Sequence, residues 1–181
     1  MTVDRCLKGR FIIAEDVQCE DGTEIHDFTI IKHSTIGKDN KIWNFVNIYN
    51  STIGEDNVIS SSVEIGGATI GSHNKIEAKA FIPPGVTIGN YCFIGPSVKI
   101  ANDKYPRVSG DQWSWTVGPV KIGDYVSIGI GSIILPNVTI GEHSFIAAGS
   151  LVASDVPPHS FAMGRPAHIV SMQTMKELGV L

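Results

Sequence analysis

The chain has 181 residues, with 14 Lys and Arg against 18 Asp and Glu for a net charge of −4, and 43% of its residues are hydrophobic. That length suits one domain with a sizeable core, and a charged fraction of 18% excludes a disordered or coiled-coil chain. The acidic balance argues against sequence-independent nucleic-acid binding, and no apolar run approaches the roughly 18 residues that span a bilayer.

The opening residues, MTVDRCLKGRFII, break any apolar stretch with acid and base, unlike a secretory leader. Cys6, Cys19 and Cys92 are odd in number and lack the close pairing of a metal knuckle. They read as reduced thiols, and the chain as a cytoplasmic domain.

From Ile36 a repeat takes over. Aliphatic residues recur in steps of six from Ile36 through Ile42 and Ile48 to Val152, at 18 positions that are all Ile except the last. Two steps are of five residues (Ile48 to Ile53, Ile65 to Ile70), and one gap runs from Ile100 to Ile122. A helix would scatter period-six residues over unrelated faces, and a flat amphipathic strand repeats every two. Two residues before most marked positions stands a small or modest side chain, such as Ser34, Val46, Ala68 or Val98, and Gly often follows, as at Gly37, Gly54, Gly71 and Gly129. Each hexapeptide is thus one side of a triangular coil, with its Ile inside and a tight corner at its end. Gly and Asn are the residues expected where a corner demands positive φ. Three sides close a coil of about 18 residues, and coils stack at the parallel-sheet spacing of ~4.8 Å. Ile36, Ile53, Ile70, Ile88, Ile122 and Ile140 then form one interior column. Asn40, Asn57 and Asn74, each 17 residues apart, are expected to form an amide ladder.

Between Ile100 and Ile122 the chain carries 16 residues more than one six-residue step requires. This loop, Asp103 to Pro119, holds Tyr105, Arg107, Trp113 and Trp115. A long loop leaving a rigid solenoid usually carries function. Its rings either stack on a base or sugar or anchor the loop against a neighbouring subunit.

Over about residues 25–170 the repeat resembles that of the hexapeptide-repeat acyltransferases. The resemblance implies an all-β fold: a left-handed parallel β-helix of hexapeptide repeats with one long loop insertion and a short C-terminal helix. The left hand follows from the resemblance alone, since crossovers are generally right-handed. The whole chain 1–181 is then a single domain, with coils over about 12–153, the extruded loop at 103–119 and an exit segment at 154–181. The run DVPPHSFAMGRPAHIV (Asp155–Val170) resembles the family's exit from the last coil, and Met172 to Leu178 is expected to form a helix covering the open sheet end. The family also implies a homotrimer with active sites in the grooves between prisms.

Ahead of the loop, GPSVKIANDKYPR (Gly95–Arg107) resembles the junction in acetyltransferases that act on the amine of nucleotide-linked amino sugars. Ile100 and Ala101 replace the usual Phe and Thr. IWNFVNI (Ile42–Ile48) resembles that subgroup's IWHF segment, with Asn44 where His is common and Asn47 where some members have His. The resemblance implies acetyl-CoA as co-substrate, a nucleotide-sugar acceptor, a role in surface-glycan (lipopolysaccharide) biosynthesis, and no metal, nucleic-acid or membrane partner.

Stacking the second corner gives the column Trp43/Asn44, Ser60/Ser61, Glu77/Ala78, Gly95/Pro96, Gly129/Ile130 and Ala147/Ala148. Its bare end, with Gly129, Gly131, Ala147, Ala148 and Gly149, matches the positions along which the family lays the pantetheine arm; close corner packing is the competing explanation. Glu77, assisted by Asn102 and Asp103, is the candidate to orient or deprotonate the amine, against the alternative of a solvated corner carboxylate. Arg165 and His168 of GRPAH lie where the resemblance implies a basic residue near the coenzyme phosphates; these two, Lys121 and Arg107 are the local cations for polyanionic ligands, or are plain surface cations. Asn44, Glu64, Tyr105, Arg107 and Trp113 are candidate substrate contacts. His73 and His143 share a corner but lie several coils apart, which does not suit zinc. Two other functions stay open. One is O-acetylation of a sugar or serine hydroxyl, which demands a stronger base, typically His. The other is a non-catalytic scaffold, which needs neither the aromatic insertion nor the GRPAH exit.

Overall fold

The computed structural model describes residues 5–106, 116–177 and 179. A hexapeptide that turns at both ends has room for only two or three extended residues, and most strands are that short. They wind into a parallel β-solenoid of about eight turns, consistent with a left-handed β-helix. Three walls result. The first carries the interior column from Ile36 and Ile53 to Ile122 and Ile140. The second carries Ile25, Ile42, Ile59, Ile76, Ile94, Ile128 and Ile146. The third carries Ile31, Ile48, Ile65 and Ile82, then Ile100, Ile134 and Val152. All of these side chains are buried. The columns begin earlier than the marked repeat: Ile25 and Ile31 belong to them, and Cys19 pairs with Ile36 as a further rung of the first wall. The long strand Ile30–Ile36 bends around a corner and joins the first and third walls into one sheet.

The amide ladder forms. Asn57 Nδ2 and the Asn57 backbone N–H both donate to Asn40 Oδ1 at 2.9 Å. Asn57 Oδ1 accepts from the Asn74 N–H at 2.8 Å, and Asn74 Oδ1 from the Cys92 N–H at 2.7 Å. Among the described residues no buried side-chain polar atom lacks a partner.

Corners depart from expectation. Besides Gly and Asn, positive φ is adopted by Phe11, Phe28, Phe45, Tyr91, Tyr125, His33, His73, His143 and His159. A bulky L-residue there costs roughly 1–2 kcal/mol. In a stack, though, the residue one coil away has the same backbone geometry, so rings at one corner lie face to face. His73, Tyr91, Tyr125, His143 and His159 form a ladder along the first edge with centroids 4.6–4.9 Å apart. Phe11, Phe28 and Phe45 do the same on the second edge at 5.1 Å. Such contacts return about 0.5–1.5 kcal/mol each, enough to offset the strain.

The insertion leaves the solenoid undisturbed. Val120, Lys121 and Ile122 pair in register with Val86, Thr87 and Ile88, and the Gly118 N–H donates to the Asn102 carbonyl at 2.7 Å, closing the neck of the loop. After the last coil the exit segment is more ordered than expected. Ser160–Met163 adds a parallel rung on Phe145–Ile146, and His168–Ser171 returns antiparallel to it, ending the parallel stack. The helix Met172–Glu177 follows, packs on these two exit strands and buries Met175.

The cysteines need a correction. Cys6 and Cys19 are joined in a disulfide, because the first coil lays residues 13 apart side by side, and only Cys92 is free. In a reducing cytoplasm the same adjacent pair would stand as two thiols, and the link forms on oxidation. Burial pushes the Cys92 thiol up to about 11, so at pH 8 it stays protonated and unreactive. Thiol titration at pH 8 without reductant is therefore expected to find essentially none in the native protein and one after unfolding. Three after unfolding would mean that the first coil is not cross-linked.

Asn57→Leu is expected to cost about 3 kcal/mol in urea denaturation, because it strands the Asn74 N–H and the Gly71 carbonyl, while the backbone N–H of residue 57 still serves Asn40.

Candidate active site

The second edge changes character along its length. Next to each Ile of the second wall stand His26, Trp43, Ser60, Glu77, Gly95, Gly129 and Ala147 in turn, as the register requires. At the tip of the same corners stand Phe28, Phe45, Ser62, Lys79, Ser97, Gly131 and Gly149, all with positive φ. The edge is thus aromatic at its N-terminal end and polar in the middle, and beyond Gly95 it carries small residues around the one large exposed side chain of Ile130.

Glu77 marks the change. Its Oε2 accepts from Ser60 Oγ at 3.2 Å, one rung away, and its Oε1 lies 3.0 Å from Lys75 Nζ. The Lys75 ammonium bonded to it holds the Glu77 carboxyl below the usual carboxylate range, against a smaller opposing push from burial. Lys75 and Glu77 stand two apart on extended backbone, so their side chains share one face; that alternation was legible in the sequence. Such a carboxylate is a fixed negative acceptor and a weak base.

The bare end separates into two kinds of glycine. A Cβ at Gly129 would lie 2.5 Å from the Ala148 N, so close stacking accounts for that residue. At Gly131 and Gly149 (φ +67° and +68°) a Cβ would meet nothing within 4 Å. Ser62, Lys79 and Ser97 adopt the same positive φ at equivalent corners with full side chains, so packing does not demand glycine there; its effect is to leave the edge uncovered. Ala147 and Ala148 continue that strip. The GRPAH turn closes it: the Leu151 N–H donates to the Gly164 carbonyl and the Ala167 N–H to the Leu151 carbonyl, both at 2.8–2.9 Å. Arg165 and His168, both exposed, therefore stand at the end of the strip, close in sequence register to Gly149.

Asn102 and Asp103 do not join Glu77 within one chain. They follow Ile100, which belongs to the third wall, whereas Glu77 follows Ile76 of the second, so the width of the third wall separates them. Asn102 Nδ2 donates to the Pro84 carbonyl at 3.0 Å, and Asp103 Oδ1 accepts the Tyr105 N–H at 2.9 Å, so both shape the neck of the loop. Glu64 projects outward from that same third wall, flanked in register by Asn47 and Phe81. Beside it the Tyr49 ring lies over Gly66, where a side chain would collide with it, and burial together with the Glu64 charge raises the Tyr49 phenol above its ordinary value. Lys99 is set over the Phe81 ring and donates to the Lys79 carbonyl at 2.7 Å. Neither Tyr49 nor Lys99 stands out in the sequence. Asn44 lies on the second edge two rungs from Glu77, and Tyr105 is exposed. Arg107 and Trp113 fall outside the described residues. Among those described, no three His, Cys, Asp or Glu converge as metal ligands, and Tyr91 and Tyr125 stand between His73 and His143. Also among them, no helix is long and apolar enough to cross a membrane.

A parallel solenoid of hexapeptides with one bare edge defines a class of proteins, the hexapeptide-repeat transferases. The family model described as bacterial transferase hexapeptide (six repeats) matches residues 67–102 and 119–154, on either side of the insertion. A hexapeptide-repeat containing acetyltransferase from Vibrio cholerae, solved with acetyl coenzyme A, is 30% identical with a TM-score of 0.58, the match covering 67% of this chain and 69% of that one. A putative acetyltransferase of Schizosaccharomyces pombe is 44% identical over 87 residues (45% of this chain, 41% of the relative). Galactoside O-acetyltransferase of Escherichia coli is 39% identical over 90 residues (47% and 43%). The match thus spans less than half the length of these two curated relatives. The chain belongs to the hexapeptide-repeat acetyltransferase family.

Gly129→Ala is expected to lower stability by about 3 kcal/mol, because backbone must move, whereas Gly131→Ala costs about 1 kcal/mol for its φ alone. Urea denaturation of the two variants checks the order.

Proposed function

We propose that this protein is an acyl-CoA-dependent N-acetyltransferase. It moves an acetyl group from acetyl-CoA to the amine of a nucleotide-linked amino sugar, in the cytoplasm, for surface-glycan synthesis. The uncovered strip from Gly131 to Gly149, which begins beyond the fixed carboxylate of Glu77, carries the reading: an extended pantetheine arm lies along exposed backbone, with Arg165 and His168 at its phosphate end. The GPSVKIANDKYPR junction supports the amine acceptor. The separation of Glu77 from Asn102 and Asp103 supports a homotrimer, in which the second edge of one copy meets the third wall of another.

In the reaction the amine nitrogen attacks the thioester carbonyl carbon, the C–S bond breaks, and the coenzyme leaves as a thiol with the proton released by nitrogen. A sugar amine reacts as its neutral form, abundant near pH 8, so no strong protein base is required. Glu77, kept ionised by Lys75, accepts an N–H and orients the lone pair. Glu64, Asn44, Tyr105, Arg107 and Trp113 serve the acceptor. The 39% identity to a galactoside O-acetyltransferase favours one alternative, transfer to a sugar hydroxyl. That chemistry needs a base of higher affinity for protons than this carboxylate, and the His of the second edge, His26, is stacked on Trp43, three rungs from Glu77.

Acetyl-CoA with a panel of nucleotide amino sugars and the corresponding hydroxyl acceptors, followed by thiol release, tests the proposal. Turnover is expected with an amine acceptor, and Glu77→Gln should lower kcat/KM about tenfold without shifting the rise of rate between pH 7 and 8, which the amine sets. Turnover with hydroxyl acceptors alone would reverse the assignment.

A further inference from the structure

The outer face of the third wall holds a second carboxylate whose surroundings differ from those of Glu77. Glu77 is satisfied within the chain, one oxygen by the Lys75 ammonium at 3.0 Å and the other by Ser60 at 3.2 Å. Glu64 is not. It projects between Asn47 and Phe81, its half-buried partners in register on the two neighbouring rungs. Among the described residues no ammonium or guanidinium lies within ion-pair distance of it. The half-buried Tyr49 ring lies over Gly66, two residues further along the strand of Glu64, and burial and then the Glu64 charge raise its phenol above the ordinary value. One carboxylate thus stands between two aromatic rings.

Lysines on either side of this group are already committed. Lys32, one rung before Tyr49, pairs with Glu15 at 2.8 Å. Lys99, one rung after Phe81, donates to the Lys79 carbonyl at 2.7 Å. The same Lys99 Nζ lies 6.0 Å from the centre of the Phe81 ring, so the ring already serves as a surface for an ammonium group. A half-buried carboxylate between such rings discriminates by charge. An ammonium donates a stronger hydrogen bond to it than a hydroxyl does, partial withdrawal from water strengthens the attraction, and the aromatic faces attract the cation but not the neutral group. A lone carboxylate supplies too few oxygens for a hard metal ion.

We infer that Glu64, caged by the rings of Tyr49 and Phe81, binds the acceptor's amine in its ammonium form and so selects an amine over a hydroxyl before any transfer takes place. At pH 7 about nine-tenths of an amine with a pKa near 8 carries the charge. The bound ammonium gives one proton to water, and the neutral amine left beside Glu64 is the nucleophile for the thioester. The inference deepens the proposed function and rests on it for the identity of the acceptor; recognition of an ammonium by the cage does not require the transfer step.

Equilibrium binding by the full chain at pH 7 without acetyl-CoA tests it. The probes are the nucleotide amino sugars of the panel, each paired with its hydroxyl counterpart, UDP-glucosamine with UDP-glucose among them. The proteins are wild type, Glu64→Gln, Phe81→Leu and, to remove a carboxylate from another edge, Glu55→Gln, whose partner is Lys38. Wild type and Glu55→Gln are expected to bind the amine member of one pair about thirtyfold more tightly than the hydroxyl member. Glu64→Gln is expected to bind the two alike, and Phe81→Leu to keep only part of the preference. Equal binding of every pair by wild type, no binding of any probe, or a preference that survives in Glu64→Gln overturns the cage. A Glu64-dependent preference for the amine together with turnover of hydroxyl acceptors alone overturns the proposed function and leaves the cage standing, so the two fail separately.

Discussion

In a parallel solenoid every residue rests on its counterpart one coil away, 17 or 18 positions along the chain. Backbone hydrogen bonds run up the stack at ~4.8 Å, so any side chain admitted at a position must tolerate its like at that distance above and below. Isoleucine does so inside the prism, where branched surfaces interlock. Asparagine does so because an amide offers both donor and acceptor, passing one bond from Asn40 to Asn57 and on to Asn74. Rings do so face to face. Like charges in contact do not, and where Glu77 sits among the small and polar residues of its edge, its immediate neighbours in the stack are Ser60 and Gly95.

The constraint explains what could be read in advance. Periodic Ile specified three columns and the assignment of each corner, because three sides of six residues close one coil, but not the hand of that coil, which periodicity leaves open. The Asn ladder was legible for the same reason. The aromatic corners were not: single-residue preference assigns positive φ to Gly and Asn, and only the stacked neighbour makes Phe or Tyr acceptable. The Cys6–Cys19 link was hidden because the first coil lacks marked Ile, with Leu7, Ala14 and Cys19 holding the places where Ile stands later. Glu77 stands in the second-edge column that the register assigns to it, whereas Asn102 and Asp103 follow an Ile of the third wall, a separation that counting from Ile100 already implies. Tyr49 and Lys99 left no signal, because their placement depends on a glycine and a carbonyl one rung away.

The same stacking lets one edge change character along its length. Its N-terminal rungs carry large apolar rings and its later rungs small residues around Ile130, yet backbone geometry is continuous through both. Electrostatics changes at the junction, where Lys75 keeps one carboxylate charged and aimed. Rigid walls supply the positioning that group transfer needs, and with a net charge of −4 the attraction for polyanionic ligands falls to local cations.

The neck closed by Asn102 and Gly118 has a broader implication. Because Lys121 and Ile122 resume pairing with Thr87 and Ile88 as though nothing had intervened, the segment between them adds no strain to the scaffold, and the entropy of closing it grows only slowly with length. Lengthening or replacing that segment leaves the rods and ladders intact, so the fold is a chassis on which this insertion can be exchanged independently of folding.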